Sequence, residues 1–276
     1  MLVVIDTGGT KTLVASFNKS GKLGTQIKFP TPQDSKEYTE LVKSTLQNTF
    51  AGQSVDAIVI AIPGILNNGT VVWCPNLPKW EGYNVVKALQ GVLGDATVLI
   101  ENDAKLAGLY ETRILSKIPP QCLYVTISTG IGTGIITNGH IDPSLHNSEG
   151  GRALIEFDGV VREWQHFASG KSFYETYGKF VRDITSKRTW NQIADRISRG
   201  FLVLIPILQP DVIVIGGSVG TYFERFSDQL EKILLEKLPP HIPCPKFVQA
   251  VNSELAVIYG CYYYAIDNLI TITPKK

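Results

Sequence analysis

Residues 5–17 read Ile-Asp-Thr-Gly-Gly-Thr-Lys-Thr-Leu-Val-Ala-Ser-Phe. The apolar run 2–5 before Asp6 predicts a strand, residues 6–11 a turn, and residues 12–18 a second strand. A turn at Lys19-Ser20-Gly21 then allows a third strand over 22–28. Gly8 and Gly9 permit positive φ, so successive backbone N–H groups can point at one anion. Thr10 and Thr12 add hydroxyls, and Lys11 adds a charge. The loop is not a Walker A motif, which opens a helix after a longer spacing, nor a Rossmann fingerprint, since a strand follows it. An ordinary hairpin also favours Gly-Gly. Asp6 ends a buried-type strand beside this loop. Mg²⁺ typically keeps its waters and uses one or two carboxylates plus substrate phosphates; the alternative is an Asp that bonds its own turn.

The pattern then repeats in outline. Residues 35–50 have helical spacing, with Tyr38, Leu41, Val42, Leu46 and Phe50 on one face. Strands are predicted over 56–62 and 97–100, the latter running into Glu101-Asn102-Asp103 and a helix over 104–115. After Pro119-Pro120 come a strand (122–128), a Gly/Thr loop (129–134) and a strand (135–137). Thr129, Gly130, Gly132 and Thr133 lie in that second loop, whose three alternate glycines exceed what a turn needs. Two such units predict two related α/β halves, closely packed around a cleft. The second half is predicted helical over 164–182, 190–205, 222–237 and 253–268, with a short strand over 212–215 ending in Gly216-Gly217-Ser218 and a frayed tail over 271–276.

Ligands in α/β proteins bind beyond the carboxyl ends of strands. Asp103 at such an end could take a proton from a hydroxyl, with Asn102 holding a neighbouring one. Asn or Asp before a helix is equally a favoured N-cap.

Composition excludes several classes. With 276 residues, 26 Lys plus Arg, 25 Asp plus Glu and a net charge of +1, bulk basicity cannot drive nucleic-acid binding. The 44% hydrophobic and 18% charged content argues against disorder. Cys74, Cys122, Cys244 and Cys261 are scattered without a C-x-x-C pair, which argues against a disulfide framework or a cysteine zinc site. No signal peptide is read, and the longest apolar stretch, residues 201–208, is far below the roughly 20 residues a membrane span needs. A cytoplasmic protein without membrane partners is the expectation.

Several segments together resemble the ROK family (repressor, open reading frame, kinase) of bacterial sugar kinases. The N-terminal IDTGGTKTLVASF is similar to its first phosphate loop. Residues 61–82 (AIPGILNNGTVVWCPNLPKWEG) resemble its Pro-Gly segment and Asn-Leu-Pro-x-Trp sugar motif, and ENDAKLAGLYE (101–111) its Asn-Asp catalytic segment. STGIGTGIITNGHI (128–141) resembles the second phosphate loop, SEGGR (148–152) the Gly-Glu-x-Gly-His motif, and WQHFASG (164–170) the stretch after the zinc loop. DVIVIGGSV (211–219) resembles the adenosine motif, and NSELAVIYGCYYYA (252–265) the closing helix.

The order is the family's and spans nearly the whole chain. The resemblance implies a two-domain actin-like ATPase (ribonuclease H-like) α/β fold with an interdomain active-site cleft. The expected division is 1–116, completed by the helix 253–270, and 117–252. It implies Asp103 as general base; Asn76, Asn102 and Glu149 as sugar ligands; and Asp6, Gly8, Gly9, Thr10, Lys11 and Thr12 around phosphate and Mg²⁺. Thr129, Gly130, Gly132 and Thr133 match the second phosphate loop, and Gly216, Gly217 and Ser218 the nucleotide turn.

The chain departs from the family at its zinc site. The three-cysteine cluster is absent, Arg152 stands where the family's histidine would be, and residues 153–163 read as a shortened zinc loop. A second family glutamate reads as replaced by Gln165 or shifted to Glu163. No structural zinc is expected, and His140, His146 and His166 read as surface or core residues. Arg152 either binds a substrate anion or pairs with Glu149 or Glu156. Trp80 either stacks on sugar or anchors its loop, while Tyr262, Tyr263 and Tyr264 read as helix packing.

The leading expectation is an ATP- and Mg²⁺-dependent hexose kinase, glucose first, with fructose, mannose, allose and N-acetylated amino sugars open, and polyphosphate open as donor. The alternative is a non-catalytic sugar sensor. A repressor is disfavoured because the first phosphate loop begins at residue 6, and a nicotinamide enzyme because no G-x-G-x-x-G opens a helix. A homodimer is expected from the family alone.

Overall fold

The structure is a computed structural model that describes residues 1–252 and 255–272. It divides into two compact units, Met1–Tyr110 with Leu255–Lys276, and Glu111–Glu254. The first boundary thus falls after Tyr110 rather than after residue 116.

In the first unit β1 (Leu2–Thr7), β2 (Lys11–Phe17) and β3 (Leu23–Pro30) form an antiparallel meander. Helix α1 (Ser35–Phe50) then leads to β4 (Ala57–Ile62). The hairpin β5 (Ile65–Asn67) and β6 (Thr70–Trp73), the short α2 (Val85–Leu89), β7 (Thr97–Asn102) and α3 (Asp103–Arg113) follow. The sheet order is β3-β2-β1-β4-β7, with β1, β4 and β7 mutually parallel. Strand period 2 sends Val3 and Ile5 of β1 to one face, where they join Tyr38, Val42, Leu46 and Phe50 of α1 in a buried core. Asp34 caps α1, accepting from the N–H groups of Lys36 and Glu37. Leu41, expected on the buried face, is exposed; Ser35 and Thr39 are buried instead, so the face is centred one residue position round.

On the other face the C-terminal helix (Ala256–Ile272) packs on β1 and β4. Phe17 meets Tyr259 and Tyr262 with ring centroids 5.3 and 5.0 Å apart, and Tyr110 stacks on Tyr259 at 5.1 Å. The tyrosines of this helix are packing residues, as read from the sequence. The start and end of the region expected as helix and tail, residues 253–254 and 273–276, lie outside the described residues.

Gly260 explains how closely this helix approaches α3. A Cβ there would run into the backbone carbonyl of Leu106. Gly→Ala inside a helix ordinarily stabilises by about 0.5–1 kcal/mol. Here the obstacle is backbone, so Gly260→Ala is expected to destabilise instead, by about 1–3 kcal/mol of overpacking. Thermal unfolding checks the sign: a melting temperature lower by several degrees is expected.

The second unit repeats the plan. Strands β8 (Gln121–Ile127), β9 (Ile131–Thr137) and β10 (His140–Ile141) form the meander. A hairpin, β11 (Leu154–Phe157) and β12 (Val160–Glu163), and helices α4 (Gln165–Ala168), α5 (Gly170–Tyr177) and α6 (Lys187–Leu208) follow. Then come β13 (Val212–Gly216), α7 (Gly217–Gly220), α8 (Ser227–Lys237) and β14 (Lys246–Gln249). The order β10-β9-β8-β13-β14 has the same directions as the first sheet. The repeat in outline read from the two hairpins is therefore a repeat of topology.

The helix expected over 164–182 is broken. Ser169 is extended and makes a capping box with Ser172, and Gly178 ends α5 in the left-handed region at φ 66°. Helix α6 presents Ile193, Ile197, Phe201 and Ile205 to the core, where Trp164 crosses edge-on to Phe201 at 5.3 Å. Gly200 of α6 admits the indole of Trp164 against its backbone.

Candidate functional site

In the first unit, Asp6 is the last but one residue of β1, and Asp103 follows the end of β7 directly. Period 2 turns Asp6 away from α1, towards the face that carries Cys261 of the C-terminal helix. Burial among these groups, with the charge of Asp103 nearby, pushes the Asp6 carboxyl up to about 7. Burial also raises Asp103, against backbone N–H bonds and the Lys105 ammonium, which favour its charged form. A carboxyl raised by burial and by a neighbouring carboxylate, itself raised by burial, is the kind of perturbed pair that functional sites use.

The cap and the acid resolve onto different residues. Asn102 Oδ1 accepts from the Lys105 N–H at 3.2 Å, the bond of an N-cap, and its Nδ2 donates to the Gly64 carbonyl at 3.0 Å. Asp103 Oδ1 accepts from the neighbouring Ala104 N–H at 2.8 Å. Lys105 lies 3.7 Å from Glu101, whose Oε1 also accepts the Asn102 N–H at 2.7 Å.

Asn76 lies exposed beside the first Gly loop: a Cβ on Gly9 would come within 2.7 Å of the Asn76 Cβ. Gly9 is thus required for the segment around Asn76 to lie against the first Gly loop. Thr10 and Lys11 are exposed at its tip, and the Gly8 N–H closes the hairpin on the Lys11 carbonyl at 2.9 Å.

Thr12 corrects the sequence reading. It is fully buried, 2.9 Å from the Thr31 hydroxyl. The single Thr31 proton goes to the Gly8 carbonyl at 2.8 Å, so Thr12 must be the donor to Thr31. Its proton is committed inside the protein and is not offered to phosphate. Trp80 is also decided: it is fully buried with its ring 4.3 Å from that of Tyr38, an anchor rather than a sugar platform. Tyr38 in turn exchanges a hydrogen bond with Thr7 at 2.7 Å, fixing the last residue of β1.

In the second unit the second Gly/Thr loop joins β8 and β9. Ser128, at its start, is tied at three atoms. Its N–H donates to Gly130 O at 2.9 Å, its carbonyl accepts from Gly170 N–H at 2.7 Å, and its Oγ accepts from Ser218 N–H at 3.0 Å. Gly217, at φ 81°, leaves no room for a Cβ, which would lie 2.7 Å from both Ser128 Oγ and Thr126 Oγ1. A Cβ on Gly216 would strike the Tyr124 hydroxyl. The turn expected to pack near the nucleotide therefore also buttresses the second loop.

Thr129 is exposed on this loop, whereas Thr133 is buried and its Oγ1 accepts from Gly150 N–H at 2.9 Å. Thr133 thus ties the loop to the segment carrying Glu149, which precedes the turn Gly150–Arg152. Gly132 is half-buried in β9. Arg152 forms an ion pair with Glu163 at 2.9 Å, a partner the sequence reading did not name. Glu163 also accepts from Gln165 Nε2 at 2.6 Å, and Gln165 Oε1 lies 2.8 Å from where a Gly130 Cβ would be. Arg152, Glu163 and Gln165 form one chain of bonds that backs the second loop.

His166 lies exposed 3.6 Å from Glu163, and His140 Nδ1 lies 3.1 Å from Arg113. Among the described residues no group of three or more His, Cys, Asp and Glu gathers as a metal centre, and no helix is long and apolar enough to cross a membrane.

Thr31 and Gln33 were not assigned roles from sequence, nor were the bonds that tie Ser128, Glu163 and Gln165 to the second loop. Their roles depend on partners far along the chain, and no local spacing signals them.

Two units of one topology, one with a coupled carboxylate pair at strand ends and each with a Gly/Thr hairpin, define an actin-like ATPase fold and, within it, a sugar phosphotransferase. The chain belongs to the ROK family, whose model matches residues 2–268. It is similar to the polyphosphate glucokinase of Mycobacterium tuberculosis (strain CDC 1551 / Oshkosh), 28% identical over 87% of this chain and 83% of that protein. It is similar to the N-acetylmannosamine kinase of Haemophilus influenzae (strain PittGG), 27% identical over 97% of this chain and 96% of that one. A crystal structure of a ROK family protein from Streptococcus pneumoniae in complex with sucrose superposes with a TM-score of 0.83. It is 21% identical and covers 98% of this chain and 99% of that one.

Proposed function

We propose that this protein transfers the γ-phosphoryl group of ATP to a hydroxyl of a hexose, with glucose as the first acceptor to test and Asp103 as the general base. The observation that carries the reading is the coupled pair Asp6 and Asp103 at the ends of β1 and β7, in the unit that also carries Asn102, Asn76 and the first Gly loop.

Phosphoryl transfer requires positioning and charge neutralisation more than covalent chemistry from the protein. Asp103 accepts the proton of the attacking hydroxyl. That oxygen forms a bond to the γ-phosphorus as the bond to the bridging oxygen breaks, and ADP leaves. A carboxylate with raised proton affinity is suited to that task, because its driving force for taking the proton is larger. Asn102 and Asn76 supply amide groups to neighbouring sugar hydroxyls. Glu149 is a further sugar ligand, the exposed Thr129 belongs to the second phosphate loop, and Gly216, Gly217 and Ser218 form the nucleotide turn.

The donor set around Asp6 fits Mg²⁺, a hard cation that takes oxygen ligands: its carboxyl is buried beside a second carboxylate, a pair that a cation would relieve. Asp6 would hold the ion, with water among its other ligands, as is general for Mg²⁺. When bound, Mg²⁺ supplies charge neutralisation to the donor phosphates.

The test is phosphate transfer to glucose, fructose, mannose, N-acetylglucosamine and N-acetylmannosamine, with ATP/Mg²⁺ or polyphosphate as donor. Transfer from ATP to glucose above the other acceptors is the expected outcome. Preference for an N-acetylhexosamine would move the acceptor, and polyphosphate alone as donor would move the donor. Sugar binding without transfer from either donor would replace the kinase reading with a sensor.

A further inference from the structure

The first Gly loop is held by a segment that the catalytic reading does not use. Residues 31–33 follow β3 directly and precede Asp34, the cap of α1, so the segment is anchored at both ends. It takes all three carbonyl oxygens of residues 8–10. The Thr31 hydroxyl donates to Gly8 O at 2.8 Å, Gln33 Nε2 to Gly9 O at 3.0 Å, and the Thr31 N–H to Thr10 O at 3.0 Å.

A trans peptide places its C=O and the next N–H on opposite sides. With three carbonyls turned to the strap, the N–H groups of Gly9, Thr10 and Lys11 turn the other way. The peptide between Gly8 and Gly9 is the one most in need of such a hold. Its rotation changes only dihedrals of two glycines, which carry no steric barrier to either orientation. Flipped, it would present a carbonyl oxygen where an anion needs a donor. The bond from Thr31 to Gly8 opposes that flip, and the buried Thr12 hydroxyl, donating to Thr31, orients it.

We infer that Thr31 is a positioning residue for the phosphate donor: through its bond to Gly8 it sets the first Gly loop in its anion-binding orientation, with Gln33 as a second tie. This rests on the proposed phosphoryl transfer, and the experiment separates the two. ADP and ATP binding is measured by calorimetry, with KM for donor and acceptor, on the parent, Thr31→Val, Thr31→Ser and Gln33→Ala.

Thr31→Val, which keeps shape and removes the hydroxyl, is expected to weaken nucleotide binding about tenfold, the scale of one lost hydrogen bond. The acceptor KM should stay near that of the parent, while the melting temperature falls by a few degrees because the buried Thr12 hydroxyl loses its acceptor. Thr31→Ser should restore nucleotide binding, and the exposed Gln33→Ala should give a smaller loss in the same direction. Unchanged nucleotide affinity in both Thr31→Val and Gln33→Ala, with the parent active, overturns the positioning role alone. So does a loss shared equally by acceptor and nucleotide, or one that Thr31→Ser leaves in place. A parent that binds no phosphate donor overturns this inference together with the kinase reading.

Discussion

Asp103→Asn is expected to lower kcat by about 10²–10⁴-fold, the range that a positioned general base contributes. The substitution is conservative in shape. An asparagine oxygen can still accept the Ala104 N–H that Asp103 Oδ1 accepts at 2.8 Å, so α3 should start as before and acceptor binding should survive. What is lost is the capacity to take a proton. The pH profile distinguishes this from a mere disturbance of the site. Asp103 works as a base only when ionised, and burial raises its proton affinity. Parent activity should therefore rise with pH through a value above the ordinary aspartate range, while the residual activity of Asp103→Asn should lack that limb. A variant that keeps parental kcat removes Asp103 from the reaction.

Asp6→Asn should separate stability from activity. In the folded protein the Asp6 carboxyl titrates at about 7, against 3.8 for an ordinary aspartate, so the folded state holds this proton more tightly than the unfolded state. The favourable contribution is fully present below about pH 4 and is lost as pH rises to about 7. Above that, the parent keeps a buried carboxylate next to Asp103, at a cost on the order of 2–4 kcal/mol. In EDTA at pH 8, Asp6→Asn is expected to melt several degrees above the parent, and at pH 4 close to it. The same variant should lose most of its Mg²⁺-dependent transfer. Equal melting temperatures at pH 8 would show that the carboxylate is not destabilising there.

Much of this molecule is legible residue by residue. The apolar runs before Asp6 and Asp103 place both acids at strand ends, and the first Gly/Thr segment forms the expected turn; the second turns only at 128–130, and residues 131–134, expected as loop, belong to β9 because they pair with β8. The limits lie where a residue's neighbours come from elsewhere in the chain. Asn and Asp before α3 are both good caps; backbone geometry assigns the N3 bond to Asn102 and leaves Asp103 as the acid. Arg152 was expected either to bind a substrate anion or to pair with Glu149 or Glu156; the hairpin of β11 and β12 pairs Leu154 with Glu163 and so brings Glu163, which no local spacing singles out as its partner, to its side. Leu41 misled because helical spacing defines a face but not its rotation against the sheet, which packing sets.

The sequence by itself determined the order of strands and turns, the positions of the two acids and the two Gly/Thr loops, because apolar periodicity and glycine act locally. Only the tertiary structure decided which hydroxyls face inward, as with Thr12 and Thr133, and which distant segments hold the loops, as with Thr31 and Glu163. It also decided that burial beside Asp103 raises Asp6. Hydrogen-bond partners and desolvation depend on what the fold brings within a few ångströms, and separation along the chain carries no record of that.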